Sequence, residues 1–166
     1  MEIIDFRLRP PTGGFLKSKI YLVAKNRKRY TEKLGWSLVE SADVQSMNLL
    51  FTEMDEARIT TGVVVGRTTA TLGAIPNDDV AKVVMDYPDR FVGIGSADSS
   101  DRKTAFTMID KIIRLGLKAV NLEPGVSAVP MRVDDRRLYP IYAKCEDAGL
   151  PVVVMAGGGA GPDLSY

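Results

Sequence analysis

The sequence predicts an α/β protein built on a parallel sheet, and three observations predict it. Five short strand-like segments alternate with helical ones along the 166 residues. Three of those strands, at 62–66, 91–95 and 151–155, are continuous apolar runs of the kind buried on both faces of a parallel sheet. The helical segments between them supply right-handed crossovers, which place every strand's C-terminal end on one edge of the sheet. A barrel and an open doubly wound sheet both satisfy this pattern.

Glu2 to Phe6 is a β-rich run, stopped by Pro10-Pro11 and Gly13-Gly14. Residues 11–46 carry no clean period and read as an excursion after the first strand. Met47 to Ile59 reads as a helix, with Leu50, Met54 and Ala57 at helical spacing. Gly62 to Gly66 is the second strand. Asn77 is placed to cap a helix running to Asp86, with Val80, Val83 and Val84 facing inward. Phe91 to Gly95 is the third strand. A helix from about Arg102 to Leu115 follows, with Ala105, Ile109, Ile112 and Ile113 along one stripe and Gly116 at its C′ position. Ala119 to Leu122 is the fourth strand, stopped by Pro124-Gly125. Asp134 or Asp135 is expected to open a helix carrying Leu138, Ile141, Tyr142 and Cys145, ended by Gly149. Pro151 to Met155 is the fifth strand and runs into Gly157-Gly158-Gly159.

Composition narrows the function classes. A formal net charge of +1 gives no global pull toward nucleic acid or membrane. The single cysteine, Cys145, forms no internal disulfide, which suits a reducing cytoplasm. The N-terminus has no signal-peptide pattern, and no apolar run reaches the roughly 18–20 residues of a membrane helix. A cytoplasmic location follows as the expectation. The basic stretch Lys17, Lys19, Lys25, Arg27, Lys28, Arg29 and Lys33, interleaved with Tyr21 and Tyr30, carries no recognition motif and reads as a solvated face.

Two cations stand at the end of the first strand. Residues two apart on a strand share a face, so Arg7 and Arg9 are expected to converge on one small space. Paired guanidiniums repel a metal ion and attract a carboxylate or phosphate. The alternative is a pair of surface arginines, or a structural ion pair with Asp5, Glu123 or Asp98. The glycines of residues 157–161 follow a strand, but no Gly-Lys-Ser/Thr or complete Gly-x-Gly-x-x-Gly accompanies them, so they read as close-approach positions.

Several segments together resemble one family. Tyr87-Pro88-Asp89-Arg90-Phe91-Val92-Gly93 is similar to the entry to the third strand of the amidohydrolase-2 family, barrel hydrolases and decarboxylases that include aminocarboxymuconate-semialdehyde decarboxylase. Leu115-Gly116-Leu117-Lys118-Ala119-Val120-Asn121-Leu122 resembles its fourth strand, and Asp134-Asp135-Arg136-Arg137-Leu138-Tyr139-Pro140-Ile141-Tyr142 the helix that follows. Gly149-Leu150-Pro151-Val152-Val153-Val154 resembles the approach to its fifth strand, and Ile4-Asp5-Phe6-Arg7-Leu8-Arg9-Pro10-Pro11 its first.

The resemblance implies a TIM-type (β/α)8 barrel. A complete barrel takes about 250 residues, so residues 1–166 are expected to form a partial barrel domain with about the first five β/α units. Residues 11–46 become an insertion after strand one, placed to act as a lid over the mouth. The family's two first-strand histidines fall on Arg7 and Arg9, and its fifth-strand histidine falls on or beside Met155. Its later ligand positions fall beyond Tyr166. Zinc or another divalent metal is therefore implied by the resemblance alone, and no metal ligand or cofactor motif is visible in the chain.

On a barrel, Asn121 and Glu123 share one face at the end of strand four. Glu123 is then the candidate for proton transfer, with Arg7 and Arg9 holding a substrate carboxylate and Asn121 positioning it. Arg67 and Asp98 are mouth residues by position only. The leading expectation is an amidohydrolase-like enzyme that hydrolyses or decarboxylates a small carboxylated substrate. The alternatives are a conventional metal-dependent hydrolase with a displaced site, and a non-catalytic anion-binding or structural barrel. Unpaired strand edges lead us to expect a homo-oligomer.

Overall fold

Five parallel strands follow one another across the sheet in chain order: β1 (Ile3–Leu8), β2 (Ile59–Val65), β3 (Phe91–Ser96), β4 (Val120–Leu122) and β5 (Val152–Val154). A doubly wound sheet would reverse its strand order at a switch point. Here each strand pairs only with its neighbours in the chain, which is the progression of a barrel wall. The computed structural model describes residues 2–23, 31–37, 39–69 and 72–155. The basic residues Lys25, Arg27, Lys28 and Arg29, and the glycines of 157–161, lie outside them.

The helices are α1 (Lys19–Leu22), α2 (Glu40–Asp43), α3 (Met47–Glu56), α4 (Asn77–Asp86), α5 (Arg102–Arg114) and α6 (Tyr139–Asp147). Among the described residues, no helix is long and apolar enough to cross a membrane. Two start where a short polar side chain caps them. Ser46 Oγ accepts from Leu49 N–H at the start of α3, and Asp101 accepts from Thr104 N–H at the start of α5.

Two expected helix starts are corrected. Asn77 is the first helical residue of α4, not its cap. Its amide instead clamps the end of β3, donating to Ser96 O at 3.0 Å and accepting from Ser96 N–H at 2.8 Å. Neither Asp134 nor Asp135 opens α6, which begins at Tyr139. Asp135 is occupied by the backbone N–H and guanidinium of Arg137, so those residues form a turn before the helix.

The sheet divides the apolar residues into two layers. Val63, Val65, Ile94 and Ala119, with Val153 against them, form the inner face. Val64, Phe91, Val80, Ile109, Ile112 and Ile141 belong to the larger core between sheet and helices. Gly93 and Gly95 sit on that outer face, where a Cβ on Gly95 would overlap Ile112 and one on Gly93 would come 2.6 Å from Leu117. Glycine lets the helices lie directly on β3.

The excursion after β1 is partly anchored. Phe15, in the turn Gly13–Lys17, is wholly buried in the outer core, and Tyr21 donates its hydroxyl to Arg9 O at 2.6 Å. On the open side of the sheet, Ile4 and Phe6 are 59% and 53% exposed although they pair with Thr61 and Val63 of β2. They share the inner face with Val63 and have nothing opposite them among the described residues.

Candidate functional site

The two first-strand arginines do reach the mouth, but not by simple alternation. Ile4, Asp5 and Phe6 pair in step with Thr61, Gly62 and Val63, after which Leu8, not Arg7, pairs with Val64. Arg7 is the extra residue of a β-bulge, with φ at 79°. Phe6 lies on the inner face, so an unbroken strand would turn Arg7 and Arg9 outward, toward the helices. The bulge resets the phase instead. Leu8 goes into the outer core, and the arginines are released to the C-terminal edge.

There Arg7 Nη2 donates to Glu123 Oε1 at 3.0 Å. Arg67, just past the end of β2, donates from Nε to Oε2 at 3.1 Å and to Oε1 at 3.3 Å. Thr69 Oγ1 adds a further bond to Oε2 at 3.1 Å. Glu123 is 2% exposed and Arg67 is 7% exposed. Both carboxylate oxygens are thus satisfied by side chains from the ends of β1 and β2, whereas Glu123 itself follows β4. Arg67 is held in turn by a two-way backbone bridge to Ile75, with N···O distances of 2.9 and 2.8 Å.

Arg9 completes the group differently. Burial, then the like charges of Arg67 and Arg7, lower its guanidinium below the usual arginine range; Glu123 and Tyr21 act against this. The Arg9 guanidinium makes no hydrogen bond or ion pair among the described residues. Three guanidiniums therefore face one carboxylate, and the excess is positive.

Asn121 lies one inward position below Glu123 on the same strand and is fully buried. Its Nδ2 donates to Gly66 O at 3.2 Å, spanning from β4 to the end of β2, while its Oδ1 has no hydrogen-bond partner. It forms the floor of the charged cluster. Asp98, by contrast, does not join. Its Oδ1 accepts from Ser100 N–H and Oγ–H in a local turn. Sequence reasoning underrated Arg67 and passed over Thr69 and Tyr21. The available signal for Arg67 was its position two residues past inward-facing Val65.

A divalent metal at the family's first-strand position does not fit these residues. Two guanidiniums occupy it, and the one carboxylate nearby is already bonded to three donors. Among the described residues no group of three His, Cys, Asp or Glu side chains comes together to hold an ion. Met155, at the fifth-strand position, offers only a thioether, a poor ligand for a hard cation.

Comparison with known proteins agrees with this architecture. An uncharacterized TIM-barrel protein from Bordetella bronchiseptica is 52% identical, with a TM-score of 0.94 over the whole of this chain and 59% of its own. A solved 2,6-dihydroxybenzoate decarboxylase superposes with a TM-score of 0.61 at 16% identity, over 92% of this chain and half of its own, which shows the shared fold. Over 79 residues the chain is 32% identical to 2-amino-3-carboxymuconate-6-semialdehyde decarboxylase from Dictyostelium discoideum, spanning 47% of this chain and 21% of that protein. The chain thus covers less than two thirds of each of these proteins. The amidohydrolase family model matches residues 4–165, and the chain belongs to that family.

Proposed function

We propose that this chain forms the substrate-anion side of an amidohydrolase-family enzyme that hydrolyses or decarboxylates a small carboxylated molecule. The observation that carries the reading is Arg9, a half-buried cation beside Arg7 and Arg67 that bonds to no described side chain. A carboxylate placed against Arg9 gains charge-assisted hydrogen bonds and offsets the repulsion among the three guanidiniums. Family membership and the decarboxylase relative support a hydrolytic or decarboxylating reaction.

Within that reading, Arg9 is the primary substrate ligand and Arg7, more exposed than Arg67, is the second. The sequence offered Glu123 for proton transfer. With both oxygens accepting hydrogen bonds from Arg7, Arg67 and Thr69, we assign it instead to fixing the arginines in place. Asn121 maintains the floor beneath them by its bond to Gly66.

The test is steady-state kinetics and direct binding on the intact protein with a panel of small mono- and dicarboxylates. Arg9→Ala is expected to raise KM or Kd by about 10- to 100-fold, and Arg9→Lys to recover part of the loss. An Arg9→Ala protein that binds and turns over the same carboxylate with unchanged KM overturns the proposal. Carboxylate binding without turnover would retain the anion site but remove the enzymatic assignment.

A further inference from the structure

A second cluster of cations lies outside the Glu123 group, in a cleft of about 440 Å³ lined by Ser99, Ser100, Arg102, Arg136, Arg137 and Pro140. It opens between the loop after β3 and the turn before α6, and so belongs to the same C-terminal edge of the sheet as Glu123. We propose that this cleft is an oxyanion site, one that takes a phosphate- or carboxylate-bearing small molecule independently of the Arg9 site.

Three observations support it. The lining contains three guanidiniums and no carboxylate. Each of the acids closest in the chain already has a partner, and two of those partners belong to the lining itself. Asp135 is held by Arg137 at 2.7 and 2.9 Å, and that ion pair depresses its carboxyl to about 2. Asp98 is held by Ser100. Asp101 caps α5 through Thr104 and faces Arg102, so it opposes one of the charges in part. The guanidiniums of Arg102 and Arg136 form no ion pair or hydrogen bond among the described residues.

Ser99 points the same way from a different direction. It is 5% exposed, yet its hydroxyl forms no hydrogen bond with any described residue. Nor is that oxygen sealed among the wholly buried polar atoms that lack a partner, so it remains open to the cleft that the residue lines. A hydroxyl there without a protein partner is free to donate to an oxyanion in the cleft. Two guanidinium forks and one hydroxyl match an oxyanion.

The experiment is titration of the intact protein with inorganic phosphate and, separately, with acetate, followed by calorimetry and amide NMR at constant ionic strength. Phosphate or acetate binding that moves the amide signals of Ser99 and Ser100 is expected, and the tighter ligand identifies the source of the oxyanion. The double variant R102Q/R136Q is expected to bind about tenfold more weakly or worse, and Ser99→Ala about threefold more weakly. The affinity read at the Ser99 and Ser100 amides should be the same in Arg9→Ala, which removes the carboxylate site proposed above from the calorimetric signal. An affinity equal in wild type and R102Q/R136Q overturns the proposal. So does binding lost in Arg9→Ala, which would place the ion in the Glu123 cluster. Amide shifts of Ser99 and Ser100 reproduced by sodium chloride at the same ionic strength also overturn it.

Discussion

Arg67 Nε lies 3.1 Å from one carboxylate oxygen of Glu123 and 3.3 Å from the other, so one N–H bridges residues 56 positions apart in the chain. The bond joins the ends of β2 and β4 across the intervening β3 and sets the rim of the sheet. Arg7 reaches the same carboxylate from β1. One acid therefore organises the C-terminal ends of three strands.

Removing that acid leaves Arg7 and Arg67 without their counter-charge in a largely dry site. Breaking a buried ion pair by deleting one partner costs about 3–5 kcal/mol, because the other charge stays buried. Glu123→Ala is expected to lower the unfolding free energy by that amount in urea denaturation. Arg67→Met combined with Glu123→Leu removes one buried cation with the acid and is expected to lose less than Glu123→Ala alone. A Glu123→Ala protein within about 0.5 kcal/mol of wild type would mean that the carboxylate does not organise the rim.

The bulge at Arg7 carries its own expectation. A non-glycine residue at φ 79° is in the left-handed region, which costs a side chain with Cβ roughly 1–2 kcal/mol. Arg7→Ala and Arg7→Gly both lose the bond to Glu123, but only glycine is free of the backbone penalty. Arg7→Gly should therefore be more stable than Arg7→Ala by about 1 kcal/mol in chemical denaturation. Equal stabilities, or an advantage for alanine, would mean that β1 runs on without the bulge.

The same bulge shows where reading the sequence succeeds and where it stops. Continuous apolar runs at β2, β3 and β5 mark a parallel sheet because each of those strands sends apolar side chains to both faces, and helical stripes such as Ala105, Ile109 and Ile112 mark the layer outside. Those signals are local and periodic. Convergence of Arg7 and Arg9 was anticipated from a period of two, yet it is reached by breaking that period. A bulge depends on the register against β2, which no single segment reports. Arg67 looked unremarkable for a related reason. Its importance comes from Glu123, and a pairing across 56 residues leaves no mark on either neighbourhood. Asn77 and Asp135 carried strong capping signals, but Asn77 is taken by a tertiary partner, Ser96, and Asp135 by a competing local one, Arg137. Propensity describes what a residue does without such partners.

Cys145 gives a pH-dependent test of the outer layer. It is fully buried on α6, and burial pushes its thiol from an ordinary value near 9 up to about 11, with Lys144 acting weakly in the other direction. The folded state thus holds this proton more tightly than the unfolded chain. The resulting contribution is fully present below about pH 9 and is lost as pH rises toward about 11. The phenol of Tyr142 is also raised above its ordinary value, mainly by burial. The informative quantity is therefore the difference between wild type and Cys145→Ala, measured by urea denaturation at steps from pH 8 to 11. Wild type is expected to lose stability faster than the variant across that window, and its native thiol to resist modification at pH 8. Parallel stability profiles together with rapid labelling of the native thiol would place Cys145 at the surface, and the packing of α6 against the sheet would then be wrong.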